Sequence, residues 1–140
     1  MTKTEVKKAL RSFLPAKRAY AVAKASAARV SADASSLRAV VITGMPRGRG
    51  VSDPVGDAAC RIQRAADRML DRAEEYARQL EYVQGLIELA DDADGKTIIR
   101  LRWIDDVGFD FIPARINMDR RTMFRHYERA VAEIAGKTES

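Results

Sequence analysis

Between residues 55 and 90, apolar side chains return in alternating steps of four and three: Val55, Ala59, Ile62, Ala66, Met69, Ala73, Tyr76, Leu80, Val83, Ile87 and Ala90. A heptad pattern held for about five repeats requires a long helix whose seam faces a partner. Asp53 offers a capping carboxylate and Pro54 a preset φ, so the helix is expected to begin there. The cluster Asp91-Asp92-Ala93-Asp94-Gly95 is expected to end it. At about 1.5 Å per residue, such a helix would be roughly 50–55 Å long.

A second seam precedes it. Phe13, Ala16, Tyr20, Ala23, Ala27, Val30, Ala34, Leu37 and Val41 follow steps of three and four, with Val6 and Leu10 leading in. Pro15 is expected to divide a short first helix from a long second one, or to kink them. The stretch TGMPRGRGVSDP between the seams is dense in Gly and Pro and reads as a loop. Two long helices joined in this way predict an antiparallel hairpin. Charge agrees: residues 1–53 carry 11 Lys/Arg against 3 Asp/Glu, and residues 54–93 carry 5 against 9. Many seam positions are alanine and bury little area, so further burial in a homo-oligomer, with a dimer favoured, is expected.

After Gly95 the apolar spacing shortens. Ile98, Ile99, Leu101, Trp103 and Ile104 predict a compact third helix, and Asp105-Asp106-Val107-Gly108 a turn. A fourth helix is expected from Phe109, with Asp110 as cap and Pro113 in its first turn. A fifth runs from about Arg120 to Ala135 and stops at Gly136. No alternating strand pattern occurs, so the chain is expected to be all-α. Residues 1–93 form a long helical hairpin used for association, with its loop at 43–53, and residues 94–140 form a three-helix domain.

Residues 109–134 of that domain read as a helix-turn-helix. Ile112 and Ile116 lie on the first helix, and Asn117, Met118 and Asp119 form the turn. Met123, Tyr127, Ala130 and Ile134 make one apolar stripe on the second helix, with Asp119 as its cap. The opposite face carries Arg120, Arg121, Phe124, Arg125, Glu128 and Arg129, where a recognition helix would meet the major groove of double-stranded DNA. Arg120, Arg121 and Arg125 are the expected main contacts. Phe124 is placed to meet a thymine methyl, and Arg115 and Thr122 to meet phosphates.

Other chemistry finds little support. No apolar run approaches the roughly 18–20 residues that span a bilayer, and the basic N-terminus lacks the apolar stretch of a signal peptide, so a cytoplasmic protein is expected. Cys60 is the sole cysteine and His126 the sole histidine, which excludes an intramolecular disulfide and a Cys/His zinc site. Cys60 is expected to be a small buried hydrophobe, His126 a packing residue and Trp103 part of the core. The loop GMPRGRG lacks the Gly-Lys-Ser/Thr ending of a phosphate cradle, and Asp91, Asp92 and Asp94 lack calcium-loop register. No constellation suits catalysis, and no cofactor or metal is implied.

The loop, the long heptad helix, IIRLRWIDD and the 109–134 motif together resemble the phage transcriptional regulators of the RinA/ArpU group, over residues from about 5 to 135. The C-terminal part resembles the helix-turn-helix of region 4 of bacterial sigma factors. The matching positions are Arg102-Trp103-Ile104, Phe109, Ile112-Pro113, Ile116, Asp119, Thr122-Met123, Arg125 and Ala130-Val131. Pro113 stands where that pattern has a small residue, and Asp119 where it has Ser. The resemblance implies sequence-specific DNA binding that activates late phage genes, without enzymatic activity, in a bacterial host. Two alternatives share these features: a small terminase subunit that binds packaging-site DNA, and a helical adaptor that docks on RNA polymerase without DNA.

Overall fold

The structure, a computed structural model, describes residues 1–42 and 54–139, with side chains for 1–33 and 56–139. The helices are α1 (Lys3–Arg11), α2 (Phe13–Ile42), α3 (Pro54–Glu88), α4 (Ala93–Ile99), α5 (Ile112–Ile116) and α6 (Arg120–Thr138). A π-helical turn over Arg100–Ile104 continues α4. The described residues contain no strand, and the chain is all-α. None of their helices is long and apolar enough to cross a membrane. The expected loop at 43–53, with Arg47, Arg49 and the Asp53 cap, lies outside the described residues.

Local chemistry sets most of the boundaries. Thr2 and Glu5 close a reciprocal capping box on α1, each side chain accepting from the other's backbone N–H. The helix breaks at Ser12, whose hydroxyl donates to the Ala9 carbonyl, and Pro15 falls in the first turn of α2, where its missing N–H costs little. Pro54 opens α3, as its fixed φ leads one to expect.

Three expected boundaries are corrected. Helix α3 stops at Glu88, and the acidic cluster starts the next helix instead of ending this one. Asp92 is extended and accepts from the Gly95 amide as the N-cap of α4, with Gly95 inside that helix. Helix α5 begins at Ile112, not Phe109, and Asp110 does not cap it, because its carboxylate is taken by Arg120. Helix α6 passes through Gly136 to Thr138, whose hydroxyl donates to the Ile134 and Ala135 carbonyls. One helical glycine costs only about 1 kcal/mol, which is too little to stop a helix packed this well.

Helices α2 and α3 run antiparallel. Phe13 at the start of α2 packs on Tyr76 late in α3, with ring centroids 5.3 Å apart, and Ser12 donates to Gln79. By packing, Met1–Lys17 and Tyr76–Ser140 form one compact unit and Arg18–Glu75 another. Packing thus groups α1 and the end of α3 with the C-terminal helices, a division different from one drawn between residues 93 and 94.

The first unit holds the main core. Val6, Leu10, Phe13, Val83, Ile87, Ile98, Ile99, Ile112, Met123, Val131 and Ile134 are fully buried in it. Each such side chain contributes on the order of 1.5–3 kcal/mol by leaving water. Trp103 belongs to this core, as expected.

In the second unit, two helices alone cover only part of the seam. Ala58 and Ala65 are buried, whereas Ile62, Ala66, Met69 and Ala73 are half-buried. On α2, Tyr20, Ala23, Ala27 and Val30 are likewise half-buried. Buried Ala58 and Ala65 sit one residue before the expected Ala59 and Ala66, so the contact line is rotated slightly from the heptad reading. Cys60 is exposed and is not the buried hydrophobe expected, because its position points away from that line.

Candidate nucleic-acid interface

Helix α5 spans one and a half turns and ends at Asn117, which adopts the left-handed conformation at φ 53° and ψ 51°. Asparagine tolerates this region better than most residues, and the reversal lets the Met118 amide donate to the Pro113 carbonyl at 3.0 Å. Two residues later Asp119 is extended, and its carboxylate accepts from the Thr122 amide at 3.2 Å. Hydrogen bonds from the Thr122 side chain and amide hold Asp119 below the usual carboxylate range, so it caps α6 as an anion. The turn and cap stand where the sequence puts them.

The buried side of α6 is Met123, Tyr127, Ala130, Val131, Ile134 and Ala135, which contains the whole expected stripe. Trp103 Nε1 donates to the Tyr127 hydroxyl at 3.3 Å, and both residues are buried. Phe109 lies edge-on to Trp103 and to Tyr127, with centroids 6.1 and 5.2 Å away. The guanidinium of Arg102 lies 4.3 Å from the Trp103 centroid and 5.3 Å from that of Phe109. This aromatic box fixes how α6 sits against the π-helical turn.

A second anchor holds the other side of α6, and sequence reasoning did not find it. Asp92 Oδ2 lies 2.8 Å from His126 Nδ1, and the Asp92 amide donates to Glu133. Burial works against the Asp92 charge, but hydrogen bonds from His126 and the Gly95 amide, with the charges of His126 and Arg129, overcome it. Its carboxyl therefore lies below the usual range. An ionised carboxylate can only accept, so His126 donates from Nδ1. Beside this pair, α4 touches α6 at Gly95, where a Cβ would come within 2.5 Å of Ala130 Cβ and 2.7 Å of the His126 carbonyl oxygen. The local signal in the sequence was the run Asp92-x-x-Gly95, which also resembles a helix end.

Asp92, Asp94 and His126 bring ligand atoms within 4.8 Å of one another. The two ring nitrogens address different carboxylates, with Nε2 4.0 Å from Asp94, and Arg129 stands 3.8 Å from Asp92. Nδ1 is turned to Asp92 by their hydrogen bond, and the Arg129 guanidinium opposes a cation beside that carboxylate. The cluster is a structural tie between α4 and α6.

The seven expected contact residues fall into two groups. Arg115, Arg121 and Arg125 are exposed and pair with no carboxylate among the described residues. Arg121 and Arg125 lie four apart on the outer face of α6, while Arg115 borders an open hollow of about 650 Å³ shared with Asp105, Asp106 and Phe111. The others have partners. Arg120 pairs with Asp110 at 2.6 Å and covers the Phe124 ring at 5.3 Å. Phe124 is half-buried, 5.1 Å from Phe109, and Thr122 gives its amide to the cap. Arg129 faces Asp92.

Glu128, on the arginine face, reaches Lys7 of α1 at 2.8 Å, so its charge is met by a lysine outside the motif and not by the arginines of α6. Comparison with protein-family models, curated proteins and solved structures finds no match to this chain.

Proposed function

We propose that the protein is a sequence-specific double-stranded-DNA-binding regulator of transcription, of phage or prophage origin, that activates late genes in the bacterial cytoplasm as a homodimer and without enzymatic activity. The observation that carries the reading is the pair Arg121 and Arg125. They are exposed and pair with no carboxylate among the described residues, on the helix that follows a capped helix-turn-helix turn, with the opposite face of that helix locked into the core. Guanidinium groups four residues apart at the N-terminal half of such a helix suit guanine edges in the major groove. Arg115 and Arg120 flank them as phosphate contacts.

The test starts with sequencing of DNA crosslinked to the protein in cells, where one discrete promoter-proximal site is expected. On that site, Arg121→Ala and Arg125→Ala should each cost about 1–3 kcal/mol, and relax specificity at one position. With five to seven phosphates neutralised, log K should fall against log salt with a slope of about −4.5 to −6. Unchanged operator affinity in both variants refutes α6 as the reader. Ring-shaped oligomers on a packaging site would identify a small terminase subunit instead, and recovery of RNA polymerase without DNA a helical adaptor.

A further inference from the structure

The second unit carries a basic surface that the reading helix does not use. A groove of about 380 Å³ runs between α2 and α3, lined by Arg18, Ala19, Val22, Ala23 and Ser26 on one side and by Ala65, Arg68 and Arg72 on the other. Helical spacing extends both rims: Arg29 lies eleven residues after Arg18, and Arg61 and Arg64 precede Arg68 by seven and four. All six arginines are exposed. Arg61, Arg64, Arg68 and Arg72 pair with no carboxylate among the described residues.

On the groove side, acidic groups stand at the ends of the arginine rows: Asp33 after Arg29, Asp57 before Arg61 and Glu75 after Arg72. Between Arg18 and Arg29 the helix carries no Asp or Glu. Residues 61–72 contain four arginines against Asp67 and Asp71, both of which border the arginine row on the side away from α2. From Arg61 to Arg72 the helix rises about 16 Å, which spans roughly five phosphates of one DNA strand. We infer that this groove is a second nucleic-acid surface, which holds the phosphate backbone of duplex DNA without reading its sequence.

Charge and shape select this occupant over the others. A second copy seated face to face would bring the same arginine rows together, because an isologous interface apposes identical patches. A protein partner needs buried aromatic or aliphatic anchors, whereas the groove floor offers only Val22 and small side chains. A phosphate backbone needs cations at close spacing and little else. The inference rests on DNA as the partner but not on α6 as its reader.

The test uses the full chain and a short duplex of random sequence, with binding followed by fluorescence anisotropy across a salt series. Arg68→Ala/Arg72→Ala removes two cations and keeps the helix, since alanine is the best helix former. The salt slope should become less steep by about 1.8, so that a fourfold change in salt moves the variant about tenfold less than the parent protein. Arg68→Lys/Arg72→Lys should keep the parent slope. Arg121→Ala/Arg125→Ala should lower preference for the operator over the random duplex, whereas the hairpin variant should weaken both duplexes equally. An unchanged slope and affinity in Arg68→Ala/Arg72→Ala overturns the inference. So does binding of poly-glutamate as tight as that of the duplex and lost in the same variant, which would make the groove a site for an acidic protein.

Discussion

Replacing Gly95 by alanine isolates the contact that seats α6. The substitution has two opposed effects. Alanine in the first turn of α4 favours the helix by at most about 1 kcal/mol over glycine. The added Cβ would sit 2.5 Å from Ala130 Cβ and 2.7 Å from the His126 carbonyl oxygen, where ordinary carbon contacts lie near 3.5–4.0 Å. Because one of those neighbours is helix backbone, no rotamer change relieves it, and α4 must withdraw by about 1 Å. A gap of that size forfeits a quarter to a half of the attraction across the interface, so Ile98 and Ile99 lose part of their packing. Overpacking of this kind costs about 2–3 kcal/mol at a rigid site, leaving Gly95→Ala about 1–2 kcal/mol less stable than the parent. Equilibrium unfolding in urea should show a lower midpoint with an unchanged slope. Adding Ala130→Gly clears the methyl but not the carbonyl, so the double variant should lose less than the sum of the two single changes. A Gly95→Ala protein as stable as the parent would mean that α4 and α6 do not approach at this point.

Two further outcomes follow from the ties around α6. Tyr127→Phe removes the acceptor of the buried Trp103 N–H, and should cost about 1–3 kcal/mol by leaving that donor unsatisfied; an unchanged unfolding midpoint, followed through Trp103 fluorescence, counts against the hydrogen bond. Asp92 has a folded pKa below its unfolded value, so its contribution is complete above the unfolded value of about 3.9 and is lost as the pH falls through the folded one. Asp92→Asn should therefore flatten stability against pH in the acid range, and a parental acid profile in that variant would refute the tie.

What the sequence makes legible is what local chemistry decides. The stripe Met123, Tyr127, Ala130 and Ile134 needs only a helical period, and the Asp119 cap only three residues of separation, so both stand as read. Gly95 was misread because a glycine after three aspartates looks the same whether it ends a helix or opens a close approach. The deciding atom belongs to Ala130, 35 residues away in sequence. His126 was unreadable for the same reason, since its partner Asp92 lies on another helix. The heptad seam predicted the long helix but not its phase. Which alanines are buried depends on where α2 lies, and that line passes through Ala58 and Ala65.

The same limit governs the arginines, and it bears on which of them can serve a ligand. Counting charges along α6 treats Arg120, Arg121, Arg125 and Arg129 as equivalent and lets Glu128 cancel one of them. In three dimensions Glu128 is engaged by Lys7, and Arg120 by Asp110. The Arg120 pair is exposed on both sides, so it is worth at most about 1 kcal/mol, and a phosphate can replace the carboxylate at small cost. Phe124 has no such freedom. Its ring is packed against Phe109 under the Arg120 guanidinium, and turning it toward a base would open the aromatic box that positions the helix. A reader built on this surface therefore works through guanidinium groups on a rigid helix, with Arg121 and Arg125 already free to act and Arg120 available by exchange.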